Sequence, residues 1–343
     1  MYQTTKAATE EYLFKTLEKR TMAAGHLGQQ YTHMWESLGE LVNAGGKRLR
    51  PYLTMAGYGK FAKEIVPVAA AWELLHIAML VHDDIIDQDT VRHGKDNIVV
   101  MYLKRYSNLP KDERQHYSES AAVLAGDALM SEAFASIHEA NIPYKLKSEV
   151  TGLLHRSTFE VIGGELLDVE APLLPNETID PLIIYRYKTA SYSFIGPLLS
   201  GAVCSKSSAK TKELLFQYGE NLGIGFQLQD DLLGVFGDES ITGKSSLTDL
   251  KEAKLTYLIA EHKLRCNQTQ LEKFDEIFGN RKATKSQLES LKKDIIESGA
   301  KVQTELMAQE YYKRAETAAQ ALNNKFQKEE LLNLLAKLKN RKA

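Results

Sequence analysis

The stretch WELLHIAMLVHDDIID, residues 72–87, is a nearly unbroken apolar run that ends in carboxylates. Read with the helical period, Asp83 and Asp87 lie one turn apart on one face, with Asp84 beside them. His76 lies about two turns earlier on roughly the same face. Like charges so close repel, and against an apolar wall they are costly unless a cation neutralises them. A solvated helix end is the plain alternative. It fits poorly, because the neighbours Leu80, Val81, Ile85 and Ile86 are residue types of a core.

The same periodicity extends outward over most of the chain, with 8 prolines in 343 residues and few alternating segments. The spacing predicts helices over 8–40, 48–61, 65–87, 95–107, 117–141, 144–170, 179–204, 209–237, 250–267, 283–298 and 300–340. Loops are marked by Gly45-Gly46, by Asn108 to Pro110, by Pro172 to Pro175 and by Asp238 to Ser246. The polar stretch 104–119 reads as a surface insertion. No repeat, low-complexity tract or linker divides the chain, so residues 1–343 are expected to form one all-α domain, a bundle of ten or more helices.

Forty-three basic and 45 acidic side chains leave a net charge of −2, which gives no general attraction to nucleic acid or to an anionic membrane. A polyanion site must then be a local cluster. Cys204 and Cys266 lack metal-ligand spacing and suit a reducing compartment, so a cytoplasmic location is expected. The polar N-terminus does not read as a signal peptide. No run reaches ~18 apolar residues free of charge, so no membrane span is expected.

Further motifs follow in order. GGKRLRP at 45–51 places Lys47, Arg48 and Arg50 after a flexible glycine pair, where they can converge on one anion or form a solvated basic turn. DTVRHG at 89–94 places Arg92 to reach back over the first acids. Gly126-Asp127 opens an apolar helix, as a packing feature. In GGELLD, 163–168, paired glycines cost helix stability and are usually justified by close helix approach. Glu165 and Asp168 share a face there, in a site or in solvent. Lys188-Thr189 lies in a tyrosine-rich apolar helix, so the lysine either snorkels outward or enters a polar cavity. In GFQLQDDLLG, 225–234, Gln227, Asp230 and Asp231 fall on one face, and Lys244 and Lys254 follow.

Two carboxylate clusters on apolar helices, together with scattered cations, describe one kind of ligand. Hard oxygens suit Mg2+, which binds through one or two carboxylates while substrate phosphates and waters complete its sphere. The cations take the remaining phosphate charge, and the apolar helix bodies suit a hydrocarbon tail. From GGKRLRP to IESGA at 296–300, the ordered set resembles the trans-type isoprenyl diphosphate synthases, or polyprenyl synthetases, most of all their geranylgeranyl-type members.

The resemblance implies a helical bundle around a central cavity, generally a homodimer. It implies three Mg2+ per site, held by Asp83, Asp87 and Asp230, with Asp84 and Asp231 in the same catalytic motifs. Arg92, Lys188, Lys244 and Lys254 would bind an allylic diphosphate, with Thr189 and Gln227 beside it. Lys47, Arg50, His76 and His93 would bind isopentenyl diphosphate. Residues four and five before the first acid, Met79 and Ala78, would floor the product tunnel, with Leu75 a turn below. Small Ala78 and mid-sized Met79 favour a geranylgeranyl or longer product. His93 stands where the family usually has arginine, and a neutral imidazole there weakens anion binding and makes it pH-dependent. Glu165 replaces a common glutamine, and Gly234 a frequent third aspartate. These departures motivate one rival, a weakly active regulatory subunit. A terpene cyclase, a second rival, would have no use for Lys47, Arg50 and His76, and a third, a purely structural helical bundle, leaves the two acidic helix ends unexplained.

Overall fold

The computed structural model describes residues 1–92, 94–173, 179–237, 248–251, 253–280 and 282–341. Helix accounts for most of them. The elements are α1 (Tyr2–Ala24), α2 (Gln29–Asn43), α3 (Leu49–Tyr58), α4 (Val66–Ile86), a hairpin of β1 (Val91–Arg92) and β2 (Lys95–Asp96), α5 (Ile98–Arg105), α6 (Lys111–Glu139) and α7 (Tyr144–Glu170). They continue with α8 (Pro181–Ile184), a π-helical stretch (Tyr185–Ile195), α9 (Gly196–Cys204), α10 (Ala209–Phe236), α11 (Thr248–Lys251), α12 (Tyr257–Arg265), α13 (Gln268–Ile277), α14 (Lys285–Glu297), α15 (Ala300–Gln320) and α16 (Lys325–Lys339). Two compact units emerge, one of residues 1–155 with 197–207, the other of residues 156–196 with 208–343.

The first unit is organised on α4. Pro67 opens this helix, where a missing N–H costs nothing. Ala69, Ala70, Ala71, Leu74, Leu75 and Ala78 are completely buried, and α6 lays its own small residues Ala122, Ala125 and Ala133 into the same core. Gly126 is part of that close approach, since a Cβ there would meet the His82 ring at 2.2 Å. Trp72, fully buried, satisfies its indole N–H on Ser200 Oγ at 3.0 Å. The segments 63–86 and 111–139 are long and apolar enough by composition to cross a membrane, a result the charge-free count of the sequence did not anticipate. The most apolar 18-residue window of the first is 72% buried within the protein, as in a core helix.

In the second unit α10 packs along α15 and along the π-helical stretch. Its C-terminal end joins a core of Leu258, Ile259, Phe274, Leu288, Leu291 and Ile295. Capping boxes at Asn267/Gln270 and Thr284/Gln287 start α13 and α14.

Several sequence expectations change. The helix expected over 8–40 is two, broken around Gly28, whose φ of 134° excludes helix. The one expected over 300–340 is also two, because Asn324 caps a new start. The 250–267 segment splits into α11 and α12, and α13 was not expected. Half of the supposed insertion at 104–119 is the beginning of α6, where Tyr117 packs on Tyr102 and Tyr106.

The basic turn also resolves differently. Arg48 adopts φ 45° and turns into the interior. Its Nη1 donates to Glu73 at 3.0 Å and its Nη2 to the Val42 carbonyl at 2.7 Å, with Glu10 at 3.4 Å. So Arg48 does not join a cluster on one anion. Lys47 is exposed and Arg50 half-buried. Breaking a buried pair strands the remaining charge, at about 3–5 kcal/mol. Arg48→Met should therefore destabilise the protein by about that much in denaturant unfolding, and Arg48→Met with Glu73→Leu should recover most of the loss.

Candidate functional site

The first acid cluster is built by the way α4 stops. Asp87 is its C-cap, and Gln88 follows in the left-handed region at φ 57°. The amides of Gln88 and Asp89 then return to the carbonyls of Ile85 and Asp84, at 3.3 and 3.0 Å, closing a Schellman motif. Asn97, fully buried, donates to the Asp89 carbonyl and caps α5. The hairpin so pinned carries Arg92 back onto the acids, as the sequence suggested. Its Nε donates to Asp84 Oδ1 at 2.7 Å and its Nη2 to the same oxygen, with Asp89 at 3.2 Å and Asp83 at 4.0 Å.

The acids therefore differ. Asp84 is buried and occupied by Arg92, whereas the Asp83 side chain is 27% exposed and Asp87 is exposed. Burial pushes the Asp84 carboxyl up to about 6, against the opposing pull of Arg92. In the same unit His76 and Met79 are half-buried, and Leu75 and Ala78 are fully buried. His93 and Lys244 lie outside the described residues.

The second cluster sits inside α10, which runs on to Phe236. Asp231 is buried and accepts from Tyr185 Oη and, at 3.3 Å, from Gln227 Nε2. Tyr185 Oη in turn accepts the Tyr257 amide at 2.6 Å. Burial, then the charge of Asp231, push the Tyr185 phenol well above its ordinary value, so it stays a donor. Thr189 Oγ1 donates to Gln227 Oε1 at 3.0 Å, which fixes the amide's orientation. Asp230 is the accessible member, its side chain 34% exposed and 2.9 Å from Arg341 Nη1.

Lys188, one residue from Thr189, points the other way. Its ammonium pairs with Glu165 at 3.0 Å and with Asp168. The two acids of GGELLD thus belong to a charged cluster with the π-helical stretch. Gly164 makes the approach possible, because a Cβ there would lie 2.4 Å from the Lys188 amide nitrogen. Gly163 has open space around it and plays no such part. Lys254 is half-buried. Sequence reasoning gave no role to Tyr185 or Gln229. Tyr185 lies 46 residues from Asp231, and no local pattern signals such a contact.

Among the described residues no group of three or more His, Cys, Asp or Glu side chains forms an all-protein metal cage. One or two accessible carboxylates per helix fit Mg2+ instead, an ion that keeps waters and takes phosphate oxygens for the rest.

A raised Asp84 has a defined sign. Its contribution to stability is full below its unfolded value near 4 and is lost as pH rises through about 6. Arg92→Gln removes the counter-ion, so its cost, on the order of 3 kcal/mol at pH 7.5, should shrink markedly at pH 5, where Asp84 takes a proton. Equal losses at both pH values in denaturant unfolding would refute the assignment.

The family model for polyprenyl synthetase matches residues 32–295. The chain is similar to a short chain isoprenyl diphosphate synthase of Methanocaldococcus jannaschii, 33% identical over 70% of this chain and 69% of that one. It is similar also to a geranylgeranyl diphosphate synthase of Sulfolobus acidocaldarius, 32% identical over 82% of each. A solved structure of geranylgeranyl pyrophosphate synthase from Corynebacterium glutamicum, complexed with isoprenyl diphosphate and magnesium, superposes with a TM-score of 0.91 at 26% identity, covering 99% of both chains. With acids, tyrosine and lysine held as described, and a family model that covers most of its length, this chain belongs to the polyprenyl synthetase family and is a trans-prenyltransferase.

Proposed function

We propose that this enzyme condenses isopentenyl diphosphate with an allylic diphosphate to a trans-polyprenyl diphosphate, of geranylgeranyl length or longer, with magnesium as cofactor. One observation carries the reading. In each acid cluster one aspartate is buried and held by protein partners, Asp84 by Arg92 and Asp231 by Tyr185 and Gln227. The neighbouring aspartates keep solvent exposure, Asp83 and Asp87 on α4 and, beside Arg341, Asp230 on α10. Buried partners of that kind hold accessible ligands in place.

Asp83, Asp87 and Asp230 would hold the metal, three ions in the full assembly. Bound there, magnesium would stabilise the charge that develops on departing pyrophosphate. Arg92, Lys188, Lys244 and Lys254 take the allylic diphosphate in this reading, and Lys47, Arg50, His76 and His93 take isopentenyl diphosphate. Thr189 and Gln227, already hydrogen-bonded to each other, would direct their oxygens at the forming allylic cation. The reaction needs water kept from that cation, which would otherwise be quenched as an alcohol. A weakly active regulatory subunit is not favoured, since every expected carboxylate is present and supported.

Residues 1–343 act in this reading as one catalytic domain, in the cytoplasm and as a homodimer. Support for the dimer lies on α7. Phe159, Ile162, Leu166 and Val169 form an outward stripe, 74%, 53%, 61% and 43% exposed. A soluble monomer rarely leaves such a stripe bare.

Asp83→Ala and Asp230→Ala should each lower turnover at least ~10²-fold with circular dichroism unchanged, assayed with isopentenyl diphosphate, allylic primers and Mg2+. No wild-type product under those conditions would sink the reading. Met79→Phe should shorten the product on chromatography of the dephosphorylated prenols, and an unchanged chain length would reject Met79 as tunnel floor. Light scattering should give twice 38.5 kDa for the wild type and 38.5 kDa for Ile162→Glu with Leu166→Glu.

A further inference from the structure

The end of the chain lies on the second acid cluster. After α16 stops at Lys339, Gln229 Nε2 donates to the carbonyl of Arg341 at 2.9 Å and to that of Lys339 at 3.4 Å. Tyr312 Oη, from α15, donates to Gln229 Oε1 at 2.6 Å and so fixes the amide that grips the tail. The Arg341 guanidinium stacks on the Phe226 ring at 5.1 Å and pairs with Asp230 Oδ1 at 2.9 Å. Its Nε is buried and has no hydrogen-bond partner among the described residues. Two side chains of the FQLQDD motif, Phe226 and Gln229, thus hold the tail while a third, Asp230, is neutralised by it.

The grip is built rather than casual. It combines a backbone clasp, a cation–π contact and an ion pair, and the clasp lies within two residues of a helix end. A tether that short keeps the guanidinium at high effective concentration beside Asp230. A carboxylate so paired cannot also serve a divalent cation at full strength, because the two cations repel and compete for the same oxygens.

We propose that Arg341 is a positioning residue that occupies Asp230 until a metal–diphosphate displaces it, and so sets the magnesium concentration the second cluster requires. Gln229 and Tyr312 hold the tail within reach for its return. The inference rests on the function proposed above, through Asp230 as a magnesium ligand.

The test uses the full chain with magnesium chloride and inorganic pyrophosphate, followed by calorimetry and by hydrogen exchange at 336–341. Arg341→Gln, and separately truncation after Lys339, should lower the magnesium concentration for half-maximal pyrophosphate binding roughly three- to tenfold. Arg341→Lys, which keeps charge but loses the fork and the stack, should fall between. In the wild type, exchange at 336–341 should rise on adding magnesium pyrophosphate. Unchanged magnesium dependence, or weaker binding in Arg341→Gln, would overturn the inference and leave the enzymatic reading intact. A wild type that binds no magnesium pyrophosphate would overturn both.

Discussion

Asp83, Asp84 and Asp87 stand in the last turn of a helix, the end at which peptide dipoles already concentrate negative potential. Three carboxylates there oppose one another and the helix that carries them. Nothing about folding requires this arrangement. It persists because cations answer it from outside the helix, Arg92 in the protein itself and, in the proposed reaction, magnesium. Much of the surrounding structure serves that answer. The Schellman stop at Gln88, the buried Asn97 and the short hairpin have one product in common, a guanidinium fixed over Asp84.

The second cluster solves the same problem with different parts. Asp231 accepts hydrogen bonds from a phenol and an amide. The donors come from a π-helical stretch, where the ladder is widened and neighbouring residues leave the α-helical register. Within it Tyr185 reaches Asp231, Thr189 reaches Gln227 and Lys188 reaches the acids of α7. Three contacts are thus divided among separate partners by one irregular segment.

The helices and the acids were legible in the sequence because both are local patterns. Helix 144–170 ends where its periodicity ends, and Asp83 with Asp87 needs no more than a count of four. What escaped was set by contacts distant in sequence or by single dihedral angles. Arg48 sits in a run that reads as a solvated or anion-binding turn, and no pattern shows that Glu73 waits in the core for it. The break at Gly28 turns on one positive φ. The π-helical stretch carries no compositional mark separating it from the α-helix expected there. Helix α13 was within reach, since Asn267 and Gln270 spell a capping box and Leu271, Phe274 and Ile277 mark an apolar face, but seven of its ten residues are polar and it reads as a loop.

Helix α7 carries two obligations on different faces. One face presents Gly164, Glu165 and Asp168 to Lys188, and another turns Phe159, Ile162, Leu166 and Val169 outward. A helix is stiff over so few turns, so whatever grips the outer stripe also steadies the carboxylates that hold the lysine. Exposed apolar surface and charge placement then share a single beam, so a contact made on one side would be felt as a change of alignment on the other.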